Sequence, residues 1–317
     1  MTGKKESLLA LMRREYRQAL QGATKPPRPA RPDKKTYVSG SEMAAIMGVS
    51  PWQQAHDVWA LKTGRKKPDP PTPAMIWGSR LEKVIVKVFS KRWIRDGQSL
   101  ERPSFRLSQE YPWIGGIPDG IIRDSHGTAT GILEIKTASA FSRHRWRDKT
   151  AKTDIVPEYY RWQAETYMSM YDVPFAVFAV LCGGSDYFEV TVEADAQRLK
   201  TMTQAAYRFV NDHLLVDMPP PIDYKHPTAK RTIDGKYPKA SGEIVFDGRA
   251  LELAREYRDV AARAKEAKSR ESALQAEILD LMGNAQIARF ADPNLGIIRR
   301  SYVRRAEGSG YSKLVFQ

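Results

Sequence analysis

The sequence predicts an α/β protein, in which helices and strands alternate along the chain. Strands are predicted where short apolar runs are bounded by turn residues, as at residues 175–182. Helices are predicted where apolar residues recur every three or four positions, as at residues 75–93. The 317 residues are 42% hydrophobic and 28% charged, which is ordinary for a globular protein and excludes fibrous or wholly disordered classes.

Capping residues and turn sequences mark the ends of these elements. A serine near residue 39 can cap a helix, Pro157 precedes another helix, and Gly283 follows the longest one. Residues 124–127 (Asp-Ser-His-Gly) separate two apolar runs and predict a hairpin, whereas residues 141–149 are compatible with either helix or loop. Helices are predicted over residues 39–47, 51–61, 75–93, 158–171, 194–211 and 250–282, and strands over residues 104–107, 113–122, 130–137, 175–182, 186–192, 285–290 and 297–303.

Proline-rich segments divide the chain into three parts. Residues 25–35 (KPPRPARPDKK) favour an extended arm, because proline fixes φ and removes a backbone donor. Three successive prolines at residues 219–221 mark a second boundary. The predicted organisation is therefore a basic N-terminal arm (1–36), a core (37–218) and a C-terminal extension of loop, long helix and terminal hairpin (219–317).

The chain is strongly basic, and the excess charge is uneven. It has 51 Lys and Arg against 37 Asp and Glu, a formal net charge of +14. Residues 1–35 alone hold ten basic and three acidic residues, a net charge of +7. Such a charge favours an anionic partner, most often nucleic acid. The arm is equally compatible with a solvated tail and with a DNA-contacting segment.

The cysteine count and the hydropathy pattern predict a cytoplasmic protein without a membrane partner. Cys182 is the only cysteine, so an intramolecular disulfide, a cysteine-rich zinc module and a four-cysteine iron–sulfur cluster are excluded within this chain. The longest apolar run, residues 173–182, is too short to cross a bilayer. The N-terminal residues lack the pattern of a secretory signal.

The segment from Gly115 to Lys136 contains the candidate catalytic residues. Asp119 lies in the first strand of the predicted hairpin, and Glu134 and Lys136 share one face of the second, because strand side chains alternate with period two. Pairing of the strands can bring Asp119 opposite Glu134. The two carboxylates and the Ile135 carbonyl could then hold Mg²⁺, which prefers oxygen ligands and retains several waters.

This combination suits phosphodiester cleavage, which needs an activated water and relief of negative charge on the phosphoryl group. A lysine beside the cation can assist both. Each part has an ordinary structural interpretation as well: Pro-Asp-Gly is a common turn, and Glu-x-Lys on a strand is usually a solvated face. The apolar surroundings at residues 132–137 favour the functional interpretation, because a buried Glu and Lys are costly unless paired or ligating.

The order Pro118-Asp119 followed by Glu134-x-Lys136 resembles the PD-(D/E)xK nuclease motif. Three further segments occur in a matching order, namely residues 39–52 (SGSEMAAIMGVSPW), 77–82 (WGSRLE) and 162–168 (WQAETYM). Together they are similar to the YqaJ-type phage recombination exonucleases, the family that includes lambda exonuclease. The resemblance covers about residues 38–215.

The resemblance implies a restriction-endonuclease-like core, a central mixed sheet flanked by helices, with a C-terminal long helix and hairpin. It implies a 5′-to-3′ exonuclease that resects the ends of linear double-stranded DNA with Mg²⁺ or Mn²⁺, two ions per site. It also implies a ring-shaped homotrimer, a phage single-strand annealing protein as partner, and a phage or prophage origin in a bacterial host.

The resemblance also assigns roles to residues. Glu82, Asp119, Glu134, Lys136 and Gln163 would be catalytic, and Asp119, Glu134, the Ile135 carbonyl and Glu82 would hold metal. Ser41, Lys34, Lys35 and Tyr167 would contact the 5′-phosphate or DNA. The mixture of basic and aromatic residues at Arg143, Arg145, Trp146 and Arg147 independently suggests a DNA track.

Two residues depart from lambda exonuclease. Ile117 stands where that enzyme has a serine, and Lys34 where it has an arginine, so the phosphate pocket lacks a hydroxyl and a bidentate fork. Preference for phosphorylated ends is expected to be weaker. Two alternatives stay open: a structure- or sequence-specific endonuclease with the same core, and a non-catalytic DNA-binding protein.

Overall fold

The computed structural model describes residues 32–148, 150–239, 241–292, 294, 296–304 and 310–316. Most of the predicted basic arm therefore lies outside the described residues. The chain divides into two compact units, one ending at Lys239 and the other beginning at Ala240. None of the described helices is both long and apolar enough to cross a membrane.

Three helices precede the central sheet. They are α1 (Gly40–Ile46), α2 (Ala55–Lys62) and α3 (Pro73–Trp93). The first begins with a capping box, in which the Ser39 N–H donates to Glu42 Oε2 at 2.8 Å. Proline occupies the first position of α3, and the Thr72 hydroxyl accepts from the Met75 N–H at 3.3 Å. All three predicted helices are confirmed.

The central sheet has five strands and is mixed. In spatial order they are β1 (Ser99–Glu101), β4 (Gly120–Arg123), β5 (Ala129–Ala138), β6 (Phe175–Cys182) and β7 (Asp186–Glu193). Only β5 and β6 run parallel, and α4 (Glu158–Tyr171) lies between them in the chain. The helix lies in this connection because two parallel neighbouring strands can be joined only by a long crossover segment. The expected mixed sheet flanked by helices is therefore present.

The hairpin is shorter on one side than the sequence predicts. β4 begins at Gly120, and the residues before it turn away, so that β3 (Gly115–Gly116) pairs with β2 (Arg106–Leu107) in a separate two-stranded sheet. A side chain at Gly115 would collide with Leu107, so glycine permits this close approach. Asp119 consequently lies just before β4 rather than within it.

Each face of the sheet carries its own apolar core. Ile85 and Phe89 of α3 pack with Leu133 and Ile135 on one face. The other face includes Ile132 and lies under α1, α2, α4 and α5 (Ala196–Arg208), which a π-helical turn continues over Phe209–Leu215. Because β6 is covered on both faces, its sequence is a continuous apolar run.

The first unit extends past the three prolines at residues 219–221. A short helix, α6 (Ala229–Lys236), returns to α2, and the Thr232 hydroxyl donates to the buried carboxylate of Asp57 at 3.0 Å. The side chain of Gln54 also accepts from the Asp223 N–H at 2.8 Å. These polar contacts attach the start of the predicted extension to the core.

The second unit consists of a helix and a small antiparallel sheet. The helix α7 spans Gly248–Met282, and the sheet order is β10 (Gly310–Phe316), β9 (Ile297–Arg304) and β8 (Ile287–Arg289). The predicted long helix and the pairing of β8 with β9 are confirmed. The third strand, β10, was not predicted.

Candidate active site

Asp119 and β5 meet through a short hydrogen bond. The Asp119 carboxylate accepts from the Ile135 N–H, with Oδ2 and the nitrogen 2.7 Å apart. Because Gly120 pairs with Leu133, the next position along this register lies opposite Glu134. The structure therefore brings Asp119 to the glutamate, as the hairpin pattern predicts.

Glu134 is 1% exposed, and only one of its two carboxylate oxygens has a hydrogen-bond partner among the described residues. Its Oε2 accepts from the Lys136 ammonium at 2.8 Å. Its Oε1 is buried and has no hydrogen-bond partner among the described residues. An unpaired buried carboxylate oxygen is costly, so this atom is the strongest sign of an absent partner.

Lys136 connects the carboxylates to helix α4. Its ammonium also donates to Gln163 Oε1 at 3.1 Å and lies 4.9 Å from the centre of the Tyr160 ring. The spacing of residues 160 and 163 places both side chains on one face of the helix. Tyr160 was not predicted as a site residue, although it lies on the same predicted helix.

The electrostatics of this cluster keep the lysine charged. Burial raises the pKa of Glu134 to about 7, the Asp119 charge adds to this effect, and Lys136 opposes it. Burial alone would lower the pKa of Lys136, but the carboxylates of Glu134 and Asp119 raise it overall. The site therefore presents one firmly held ammonium between an amide and two carboxyl groups.

Tyr167 lies one turn beyond Gln163 and is almost completely buried. Side chains at Gly40 or Gly116 would come within 2.8 Å of its ring, so both glycines allow the ring to fit between α1 and β3. Burial, followed by the charges of Glu134 and Asp119, raises the pKa of Tyr167. Its position is that of a packing residue at the edge of the site, and its predicted DNA contact stays a prediction.

A cleft of about 460 Å³ lies next to this ring. Its lining includes Lys34, Ser41, Ile117 and Tyr167, which brings together the residues of the predicted 5′-phosphate pocket. Lys35 is outside the lining. The cleft holds the hydroxyl and the cation that an anionic group needs, and Ile117 contributes an apolar wall.

Two polar groups of this cleft, the Ser41 hydroxyl and the Lys34 ammonium, form long hydrogen bonds. The exposed Ser41 hydroxyl lies 3.2 Å from that of Ser39. The Lys34 ammonium donates to the Leu61 carbonyl at 3.2 Å. Neither of these two contacts is made to a carboxylate, so the Ser41 hydroxyl and the Lys34 ammonium can each still bind an anion.

Glu82 lies apart from the other predicted catalytic residues. It belongs to α3, which packs on the face of β5 opposite to Glu134. Its carboxylate forms an ion pair with Arg102, a residue that the sequence did not indicate. A role for Glu82 in metal binding stays a prediction.

Trp146 requires a correction. The sequence suggested a ring that stacks on DNA, but this side chain is 2% exposed. It lies in the core, stacked on Tyr160 with 5.4 Å between ring centroids and near Phe178. A buried indole is unavailable for stacking on a base, so Trp146 supports the 3₁₀ segment Ala140–Trp146 from inside.

Arg143 requires a correction as well. Its guanidinium donates to Asp186 and to Asp154, each at 2.7 Å, and lies 4.0 Å from the centre of the Phe188 ring. It therefore links the segment to β7 instead of presenting a free charge. Arg145 and Arg147 are exposed, and their DNA contacts stay predictions.

The residues fit a divalent cation with few protein ligands. Within the described part of the chain, no three His, Cys, Asp or Glu side chains converge. The site offers two carboxylates, one of them with a buried unpartnered oxygen, and the main-chain carbonyl between Glu134 and Lys136. A small set of oxygen donors suits Mg²⁺, which usually keeps several waters.

Comparison with known families and proteins gives consistent results. Residues 31–173 match the family described as YqaJ-like viral recombinase domain. A relative is the uncharacterized protein YqaJ of Bacillus subtilis (strain 168), which is 26% identical over 260 residues, or 80% of this chain and 77% of that protein. The matched family segment contains Asp119, Glu134, Lys136 and Gln163.

Solved structures with some similarity include two described as exonucleases. An alkaline exonuclease (LHK-Exo) from Laribacter hongkongensis has a TM-score of 0.47 and 18% identity, covering 58% of this chain and 91% of that chain. A phage related exonuclease from Haemophilus somnus 129PT has a TM-score of 0.41 and 16% identity, covering 57% and 96%.

Proposed function

We propose that the protein is a metal-dependent exonuclease, because residues 31–173 match the family described as YqaJ-like viral recombinase domain. It would degrade the 5′-ended strand of linear double-stranded DNA and leave 3′ single-stranded overhangs for recombination by strand annealing. The direction, the substrate and the metal all belong to this proposal.

The buried, unpartnered Oε1 of Glu134, with Asp119 and Lys136 beside it, carries the proposal. The ion pair with Lys136 involves Oε2 only and leaves Oε1 unsatisfied. A hard cation shared with Asp119 would satisfy it, and such a cation can activate water and relieve negative charge during phosphodiester hydrolysis.

Asp119, Glu134 and the Ile135 carbonyl would hold the cation, Mg²⁺ or Mn²⁺, with two ions in the complete site. When bound, the metal would neutralise charge on the phosphoryl group and increase the acidity of a coordinated water. Glu82 would contribute to the second ion only if its ion pair with Arg102 opened.

The protein itself would supply a fixed ammonium and an orienting amide. Lys136 remains protonated, because two carboxylates raise its pKa. It can hold the attacking water or stabilise the negative charge that develops on the phosphoryl oxygens. Gln163 would keep the lysine in place from α4 and could donate its amide N–H to the phosphate.

The cleft beside Tyr167 would receive the 5′-terminal phosphate. Ser41 would donate a hydrogen bond, and Lys34 would contribute a point charge, with Lys35 nearby in the chain. Ile117 adds no hydrogen bond, so the preference for a phosphorylated end over a hydroxyl end is expected to be modest. The exposed Arg145 and Arg147 would follow the backbone of the duplex.

The assembly and the partners are further parts of the proposal. A ring of three copies would enclose the duplex, and a phage-type single-strand annealing protein would receive the 3′ strand. A cytoplasmic, phage or prophage setting agrees with this role.

Digestion of one duplex in three forms tests the proposal. The forms are linear with a 5′-phosphate, linear with a 5′-hydroxyl, and covalently closed circular, each with Mg²⁺ or with EDTA and with labels specific to each strand. We expect loss of the 5′-ended strand from both linear forms, in Mg²⁺ only, with a modest advantage for the phosphate.

Cleavage of the circle would contradict exonuclease action and favour an endonuclease. Binding without cleavage of any form would favour a DNA-binding protein.

Glu165→Gln is a matched control for Glu134→Gln, because both glutamates are buried but only Glu134 lies in the proposed site.

A further inference from the structure

The long helix α7 carries a regular heptad pattern that the proposed nuclease site does not use. From residue 253 to residue 281, the positions of one stripe are separated alternately by four and three residues. This mean spacing of 3.5 is that of the a and d positions of a coiled coil. The stripe consists of Leu253, Tyr257, Val260, Ala264, Ala267, Glu271, Leu274, Ile278 and Leu281.

The second half of this stripe lies beside the terminal sheet of its own unit. A groove between α7 and β10 is lined by Leu274 and Ile278 on the helix and by Leu314 and Phe316 on the strand. Gln275 also donates to the Ser312 carbonyl at 3.2 Å. The terminal sheet therefore lies along part of this half, in which Leu274 is 48% exposed and Leu281 82% exposed.

The first half of the stripe is exposed. Leu253 is 50% exposed, Tyr257 76% and Val260 48%. A helix in water rarely keeps a strict apolar seam on a fully solvated face, since such a seam is stable only against another helix. The residues on the opposite face, Arg255, Ala262 and Lys265, are polar or small.

We propose that this first half, residues 248–266, pairs with the same segment of a second copy of the chain in antiparallel orientation. One alignment satisfies both packing and charge. It places Tyr257 against the partner's Val260 and Leu253 against the partner's Ala264, so each large residue meets a smaller one.

The charges beside the seam select this orientation. In the antiparallel alignment, Glu256 faces the partner's Arg263, and the twofold symmetry makes this ion pair twice. In a parallel alignment, Glu256 would face the partner's Ala261, and Arg263 would face the partner's Lys268, which is repulsive. The parallel pair therefore has no favourable charge contact along this segment.

One type of contact in the antiparallel alignment is unfavourable, and the twofold symmetry makes it twice. Arg249 lies near the partner's Arg270 at the end of the paired segment. Arg249 is already neutralised within its own helix, where its guanidinium lies 3.1 Å from Glu252. This ion pair reduces the repulsion, which lies at the ends of the paired segment, whereas the two Glu256–Arg263 pairs lie at its centre.

An antiparallel pair is isologous and joins copies two at a time. If the proposed ring of three forms, this contact joins two rings; if the first unit is monomeric, it makes a dimer. The inference therefore stands independently of the proposed function, since in either case the paired species has twice the mass of the unpaired one.

Light scattering of the full chain during size-exclusion chromatography tests the pairing. We expect Val260→Glu to halve the mass, because it buries a charge in the seam. Ala262→Glu introduces the same side chain on the opposite face and is expected to leave the mass unchanged. Equal masses for the unaltered chain and Val260→Glu would overturn the proposal.

Charge reversal tests the orientation. Glu256→Arg should halve the mass by opposing Arg263 of the second copy, and adding Arg263→Glu should restore it. Failure of the double variant to recover the full mass, or no effect of Glu256→Arg alone, would overturn the antiparallel alignment. Nuclease assays of the same samples keep this outcome separate from that of the proposed activity.

Discussion

Two glutamates of the first unit are buried to the same degree but in different surroundings. Glu134 on β5 is 1% exposed, and Glu165 on α4 is 2% exposed. In each, Oε1 lacks a hydrogen-bond partner among the described residues, and burial raises the carboxyl pKa. By burial and unsatisfied hydrogen bonding alone, the two residues are equivalent.

The neighbouring side chains distinguish Glu134 from Glu165. Glu134 lies beside a second carboxylate, Asp119, and a buried ammonium, Lys136. Glu165 lies 3.6 Å from Arg161 and accepts weakly, at 3.4 Å, from the Asp195 N–H. A buried unpaired oxygen is therefore an incomplete criterion for a catalytic site; a second acid next to a retained cation completes it.

The largest expected effect is that of Glu134→Gln. Removing the charged ligand should lower the rate of Mg²⁺-dependent DNA cleavage by roughly 10³-fold or more, because metal-assisted charge stabilisation is worth several kcal/mol. Calorimetric titration with Mn²⁺ should show lost or weakened binding. Glu165→Gln should retain both cleavage and binding, and parallel losses in the two variants would remove the distinction between the glutamates.

Lys136→Met should have the next largest effect. It keeps the length of the side chain but deletes the ammonium that lies between Glu134 and Gln163. We expect cleavage to fall by about 10²- to 10³-fold, as when one charge-stabilising donor is removed. Circular dichroism should show an unchanged fold, and a variant with normal cleavage would exclude the lysine from the chemistry.

Gln163→Leu sharpens the comparison on a single helix, because Gln163 precedes Glu165 by two positions on α4. It removes the acceptor that holds Lys136 at 3.1 Å. We expect about a tenfold loss of cleavage, which corresponds to one hydrogen bond to a charged group. A rate unchanged within a factor of two would exclude Gln163 from a role in cleavage.

The smallest expected effect is the pH dependence that Glu165 gives to folding. Its pKa is raised in the folded state, so the protonated form favours folding. That contribution is complete below the unfolded pKa, about 4.3, and is lost as the pH rises through the raised value. Thermal unfolding between about pH 4 and pH 8 should show the wild-type melting temperature falling relative to Glu165→Gln. A constant difference would contradict the burial argument.

Local patterns were sufficient for most of the elements and for the motif. The alternation at residues 132–137 predicts correctly that Glu134 and Lys136 share a face, because strand geometry depends only on the order of residues. Apolar periodicity likewise predicts α3, and Pro157 marks the start of α4. The pattern predicts Asp119 within a strand, whereas it lies just before β4; the pairing register still brings it to β5.

Contacts between distant segments account for what the sequence did not predict. Trp146 and Arg143 have the composition of a nucleic-acid track, but residues of β6 and β7 enclose or neutralise them. The pairing of Glu82 with Arg102 likewise depends on how α3 crosses the sheet. A local pattern cannot distinguish an exposed arginine from a paired one, since the partner is remote in the chain.

The amino-acid order alone therefore specifies the α/β class, the basic charge and the pairing of an acid with Glu134-x-Lys136, because each depends on spacing along one segment. Packing of the chain selects which polar groups are left without a partner. The buried Oε1 of Glu134 and the position of Gln163 beside Lys136 exist only when β5 lies against α4. Burial and hydrogen bonding are properties of the assembled fold, so the candidate site is complete only there.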